Sequence, residues 1–180
     1  MTTFATRGAA LLLFALAGMG VAPVQAEPTP ANAVPLREFP RESIAIETRA
    51  NFRRTLLEAW RADSPAAREQ GLMFVNDEQM RPDQAMIFVY DPPEYVAMWM
   101  KNTWLSLDML FADARGCIVT IKQGATPHSL ATIESRQPVA LVVELKAGTV
   151  AKQRIAVGDR VLRPDAGWPL GDAPSCTAAH

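Results

Sequence analysis

Residues 98–111 read Met98-Trp99-Met100-Lys101-Asn102-Thr103-Trp104-Leu105-Ser106-Leu107-Asp108-Met109-Leu110-Phe111. Polar residues interrupt what is otherwise buried-strand composition. The pattern predicts two antiparallel strands, over 96–101 and 106–111, joined by a tight turn containing Asn102 and Thr103. With Lys101 opposite Ser106, period-two alternation sets Trp99 across from Asp108 and Ala97 across from Leu110. Lys101 and Asp108 then become diagonal neighbours on one face. The other face carries Val96, Met98, Met100, Leu107, Met109 and Phe111 as core. A charged pair beside Trp99 must either close into a structural ion pair or line an opening to solvent. The register decides, since a slip of one residue sends the two side chains to opposite faces.

Working outward, strand signals continue on both sides. Residues 43–48 alternate cleanly, and residues 52–60 carry Leu56, Leu57 and Trp60, so a hairpin turning at Ala50-Asn51 is expected. Ser64-Pro65-Ala66-Ala67-Arg68-Glu69-Gln70-Gly71 has the marks of a short helix: a Ser N-cap, Pro at the first helical position and Gly at the stop. Residues 85–90 read as a buried strand ended by Asp91-Pro92-Pro93. Further strands are expected over 117–122, 139–145 and 155–162, the last broken by Gly158-Asp159. The fold class is therefore mainly β: a single small β-barrel-like domain over 42–163 with one short helix.

The ends of the chain read differently. Arg7, the apolar run Ala9 to Ala17 and the small-x-small site Val24-Gln25-Ala26 make residues 1–26 a secretory signal peptide. The apolar run is interrupted by Gly18 and Gly20, so no stable membrane span is expected after cleavage. Residues 27–41 form a flexible Pro-rich linker, and 164–180 an irregular C-terminal tail. The address is export, to a periplasm or the extracellular space. With a formal net charge of -1, nothing in the composition favours nucleic acid as a partner. Cys117 and Cys176 either pair as a disulfide, as an oxidising compartment permits, or remain a buried and a free thiol.

Gly71-Leu72-Met73-Phe74, Ala85-Met86-Ile87-Phe88, Trp99-Met100-Lys101-Asn102-Thr103 with Leu107-Asp108-Met109-Leu110-Phe111, Val143-Glu144-Leu145-Lys146-Ala147-Gly148 and Val157-Gly158-Asp159-Arg160-Val161 follow one another in this order over residues 42–162. That order of segments resembles the family catalogued as domain of unknown function 192. It implies a small β-barrel-like domain, frequently exported, without an established activity. The chain departs from the family pattern at Gln70 and Val75, where basic residues are common, at Ala85 for glycine, and at Leu105-Ser106 for an Ile-Pro type pair.

Three chemistries compete for the polar residues. Glu144 interrupts the apolar run of 140–145 and, with Asp108, makes a candidate carboxylate pair for a hydrolase acting on envelope polysaccharide. Met73, Met80, Met86, Met98, Met100 and Met109 offer soft sulfur for Cu(I), against the plainer role of filling core gaps. No Cys or His occurs at zinc-ligand spacing, so neither metal nor cofactor is assigned. The favoured reading is a non-catalytic ligand-binding or accessory protein of the cell envelope. Trp99, Lys101, Asn102, Trp104, Asp108 and Glu144 would orient a small molecule, a glycan or a peptide.

Overall fold

The computed structural model describes residues 33–164 and Cys176. The expected signal peptide, residues 27–32 of the expected linker and most of the expected tail lie outside the described residues. Among the described residues nine strands run in chain order: β1 Arg41–Glu47, β2 Arg54–Ala62, β3 Gln84–Glu94, β4 Ala97–Met98, β5 Leu107–Ala112, β6 Ile118–Ala125, β7 Ile133–Glu134, β8 Val139–Lys146 and β9 Arg160–Leu162. Seven form one sheet in the order β6-β5-β8-β3-β2-β1-β9, while β4 and β7 pair separately. All its neighbours are antiparallel except β2 and β3.

The sheet curls until its two edges meet. Cys117, just before β6, forms a bridge with Arg160 of β9. Ile118 N–H donates to the Asp159 carbonyl and Val161 N–H to the Gly116 carbonyl, both at 2.8 Å. Cys117 and Cys176 form a disulfide beside this seam, with their Cα atoms 5.4 Å apart.

Period-two alternation gives the sheet two apolar faces. One collects Ile44, Ile46, Ile87, Leu110, Val143 and Val161 with residues from every strand of the large sheet, as the concave face of a curled sheet must. Helix α2, Thr149–Gln153, delivers Val150 into it. The other face carries Trp60, Met86, Phe88, Met109, Phe111 and Val142, and the segments between strands cover it with Leu72, Val75, Met80 and Met100.

Helix α1, Pro65–Gln70, follows its sequence signals: Ser64 Oγ accepts the Ala67 N–H, and Gly71 ends the helix at φ 49°. The hairpin at Ala50-Asn51 also forms. Elsewhere the expectations change. β3 continues through Pro92 and Pro93, because its pairing with β8 jumps from Val89 to Glu94 and no ladder bond is required of the prolines. A second helix, α2, occupies Thr149–Gln153, between the strands expected over 139–145 and 155–162, and the last strand shrinks to Arg160–Leu162. The described end of the linker is not a free tether: Leu36–Glu38 make a 3-10 turn and Phe39 is buried in the core.

The hairpin over 96–101 and 106–111 does not form. Both edges of β5 are already taken, by β6 and β8, so no edge remains for residues 96–101. That segment pairs only through Ala97–Met98 with β7, and then leaves the sheet.

Candidate functional site

Three loops lock together at the point where residues 99–105 leave the sheet. Phe74 N–H donates to the Asn102 carbonyl at 2.9 Å, His128 N–H to the Thr103 carbonyl at 3.2 Å, and Met100 N–H to the Ser129 carbonyl at 3.0 Å. Phe74, Asn102 and His128 hold φ angles of 64°, 53° and 60°. Left-handed backbone at residues with a Cβ costs about 1–2 kcal/mol each, so surrounding contacts must over-determine these turns. Part of that support is aromatic: the rings of Phe74 and Trp104 meet edge to face with centroids 6.4 Å apart. Thr103, buried between the loops, donates its hydroxyl to the Lys101 carbonyl at 3.2 Å.

On the outside of this knot, Trp99 is 41% exposed, and the Lys101 ammonium sits 5.0 Å from its ring centroid. Such a cation over an aromatic face is a modest attraction at an exposed site. Beside it opens a groove of about 430 Å³, walled by Met73, Phe74, Lys101 and Asn102 on one side and α1 on the other. Of the residues singled out in the sequence, Trp99, Lys101, Asn102 and Trp104 are thus brought together.

Asp108 and Glu144 belong elsewhere, and neither meets Lys101. Asp108 lies opposite Leu145 on the concave side, 1% exposed. Its Oδ1 accepts the Gly124 N–H and its Oδ2 the Val150 N–H, both at 2.9 Å. The first bond holds the bulge where Leu107 pairs with Ala125 but Met109 with Lys122. The second satisfies an open N–H in the first turn of α2, whose N-cap, Gly148, has no side chain to do so. The expected ion pair with Lys101 is replaced by backbone capping.

Glu144 stands one position along β8, opposite Met86 and Met109, and so faces the other side of the sheet. The two carboxylates therefore cannot act together on one bond, and the expected pair is not assembled. Glu144 Oε2 is buried with no hydrogen-bond partner among the described residues. Loss of hydration, the only strong influence on it, pushes its carboxyl up to about 8. Gly71 makes this burial possible: a Cβ there would come within 2.9 Å of Phe88 Cζ and 3.8 Å of Glu144 Oε2. The loop descends onto the carboxyl because glycine leaves room.

Sequence reasoning missed Phe74 and Gln70. Met73 and Phe74 follow the stop of α1, are only half-buried and line the groove. Met80, Met86, Met98, Met100 and Met109 pack within one core cluster, where Met98 Sδ accepts the Tyr90 hydroxyl at 3.9 Å. Among the described residues no group of three or more His, Cys, Asp or Glu side chains is placed to hold a metal ion, and no helix is long and apolar enough to cross a membrane.

A seven-stranded curled sheet, two short helices and a loop knot at one end define a small mainly-β domain of barrel-like form. The chain belongs to the family of domain of unknown function 192, described as "Uncharacterized ACR", whose model matches residues 45–162. It is similar to a Sinorhizobium meliloti protein provisionally described as a transcription regulator, with 44% identity and a TM-score of 0.67 over 70% of this chain and 95% of that one. It is also similar to a Novosphingobium aromaticivorans protein of unknown function, with 25% identity and a TM-score of 0.66 over 79% and 98% of the two chains. No curated protein is significantly similar.

Proposed function

We propose that the protein is an exported accessory protein of the cell envelope that binds a glycan or an extended peptide without turning it over. The observation that carries this reading is the convergence of Phe74, Asn102 and His128, three left-handed non-glycine residues from three loops, directly behind the exposed Trp99 and Lys101. Strain held in one place by interlocking backbone bonds preorganises a surface, and a preorganised aromatic face beside a cation and amide groups suits sugars or extended peptides. Glu144 and Asp108 support the scaffold instead of performing acid–base chemistry. The Sinorhizobium relative's description is not carried over, since a near-neutral chain offers little attraction for phosphate backbones.

Titration of tryptophan fluorescence with cell-wall glycans and peptides tests the reading. Saturable binding that weakens at least about tenfold in Trp99→Ala, with no product released, is the expected result. Binding indifferent to Trp99 and Lys101, or turnover lost in a Glu144 variant, would overturn it. Export is checked by fractionation of the producing cell and by finding Glu27 as the mature N-terminus.

A further inference from the structure

Gln70 ends α1, but its side-chain amide reaches across the groove to the segment that precedes the fold. The Val34 N–H donates to Gln70 Oε1 at 2.7 Å, and Gln70 Nε2 donates to the Val34 carbonyl at 2.7 Å. One planar amide thus reads both polar groups of one backbone residue, the exchange made by two residues of a hydrogen-bonded antiparallel pair. Val34 is suited to it because Pro35, at φ -61° and ψ 144°, excludes helical backbone from the residue before it.

The contact ignores side-chain identity. Val34 is 40% exposed, and both of its polar contacts with Gln70 are made by its backbone, not by its side chain. Any extended residue with a free N–H and carbonyl meets the same requirement. The space beside the clamp, by contrast, carries apolar Met73 and Phe74 with Glu69 and Lys101 as opposite charges, and Lys101 joins it to the Trp99 face.

We infer that this groove is a docking site for an extended, proline-preceding peptide segment of a partner polypeptide, with Val34 of the chain itself holding the Gln70 clamp in the partner's absence. The inference rests on the binding reading above and specifies its ligand class. A tethered occupant acts at roughly millimolar effective concentration, so a partner displaces it only by adding contacts in the groove. Recognition through backbone hydrogen bonds, with side-chain pockets alongside, is a recurrent way to hold extended peptides.

The probe is a blocked, fluorescently labelled peptide with the sequence of residues 31–36, titrated into the full chain. Val34→Pro removes the N–H that donates to Gln70 and leaves Gln70, Met73, Phe74 and Lys101 of the groove unchanged. Loss of one of the two clamp bonds should raise the affinity for the peptide about tenfold over the unaltered protein. Adding Gln70→Ala should abolish the gain, and a peptide N-methylated at its valine should bind neither protein. Circular dichroism verifies that each variant is folded. Equal, weak binding by the unaltered protein and Val34→Pro, or a gain that survives Gln70→Ala, would overturn the inference. Saturable glycan binding at Trp99 with no peptide binding would defeat this inference and leave the binding reading standing; absence of both would defeat the two together.

Discussion

Asp108 and Glu144 are acidic residues of adjacent strands, both within a few per cent of complete burial, yet their surroundings are opposite. Asp108, on the concave side, meets two backbone N–H groups that would otherwise lack partners. Glu144, on the other side, stands opposite Met86 and Met109 with Gly71 close to its carboxyl, and Oε2 has no donor among the described residues. The difference shows that burial alone does not give a carboxyl its role. A carboxylate that completes the hydrogen bonding of a bulge and a helix start is structural cement, whereas one sealed against thioethers holds its proton.

The sharpest test of this contrast is stability against pH. Burial raises the folded-state pKa of Glu144 from 4.5 to about 8, so between those values the folded protein binds more protons than the unfolded chain. Stability is then fully present below the lower value and falls as pH rises toward the higher one, by roughly 3–4 kcal/mol between pH 5 and pH 8. Urea unfolding across this range should show the decline, and Glu144→Gln should flatten it. A wild-type curve level from pH 5 to pH 8 would remove Glu144 from the account.

Asp108→Ala should cost about 3 kcal/mol at any pH near neutrality, because it strands two buried N–H groups, and Asp108→Asn about 2, since an amide oxygen serves only one of them. The same unfolding midpoints report it; an Asp108→Asn protein as stable as wild type would break the comparison from the other side. Gly71→Ala should cost roughly 2 kcal/mol through its left-handed φ and the clash with Phe88. It should also weaken the pH slope, because lifting the loop admits water to Glu144. Lys101→Ala, which removes a cation from the exposed Trp99 face and the groove beside it, should shift stability by about 0.5 kcal/mol or less while ligand titrations change.

The sequence patterns were most legible where local chemistry is sufficient. Ser64, Pro65 and Gly71 bound α1 because capping and φ preferences act within a few residues. The alternation of 43–48 and the apolar run of 85–90 became strands for the same reason. The stretch 98–101 misled because its composition is that of a strand while its fate depends on distant partners. β5 had no free edge, and Met100 bonds instead to Ser129. Trp99, Lys101, Asn102 and Trp104 were legible as a cluster, being neighbours in sequence. That Asp108 and Glu144 oppose different faces was not, since Met109, not Asp108, is the partner of Glu144 and a shift of one residue reverses the side. Gln70 carried no signal, because its role depends on Val34, 36 residues earlier.

The order of strands also sets a schedule for the nascent chain. β1 is flanked by β2 on one side and by β9 on the other, with Ala45 paired to Leu162. Nearly the whole domain must therefore leave the ribosome before its first strand acquires its last neighbour, and contacts so remote in sequence make closure slow. Until then the edges of β1 and β6 are open to other chains, a vulnerability that ends when Arg160 reaches Cys117. A cell producing this protein has reason to keep the growing chain escorted, or threaded and unfolded, up to that moment.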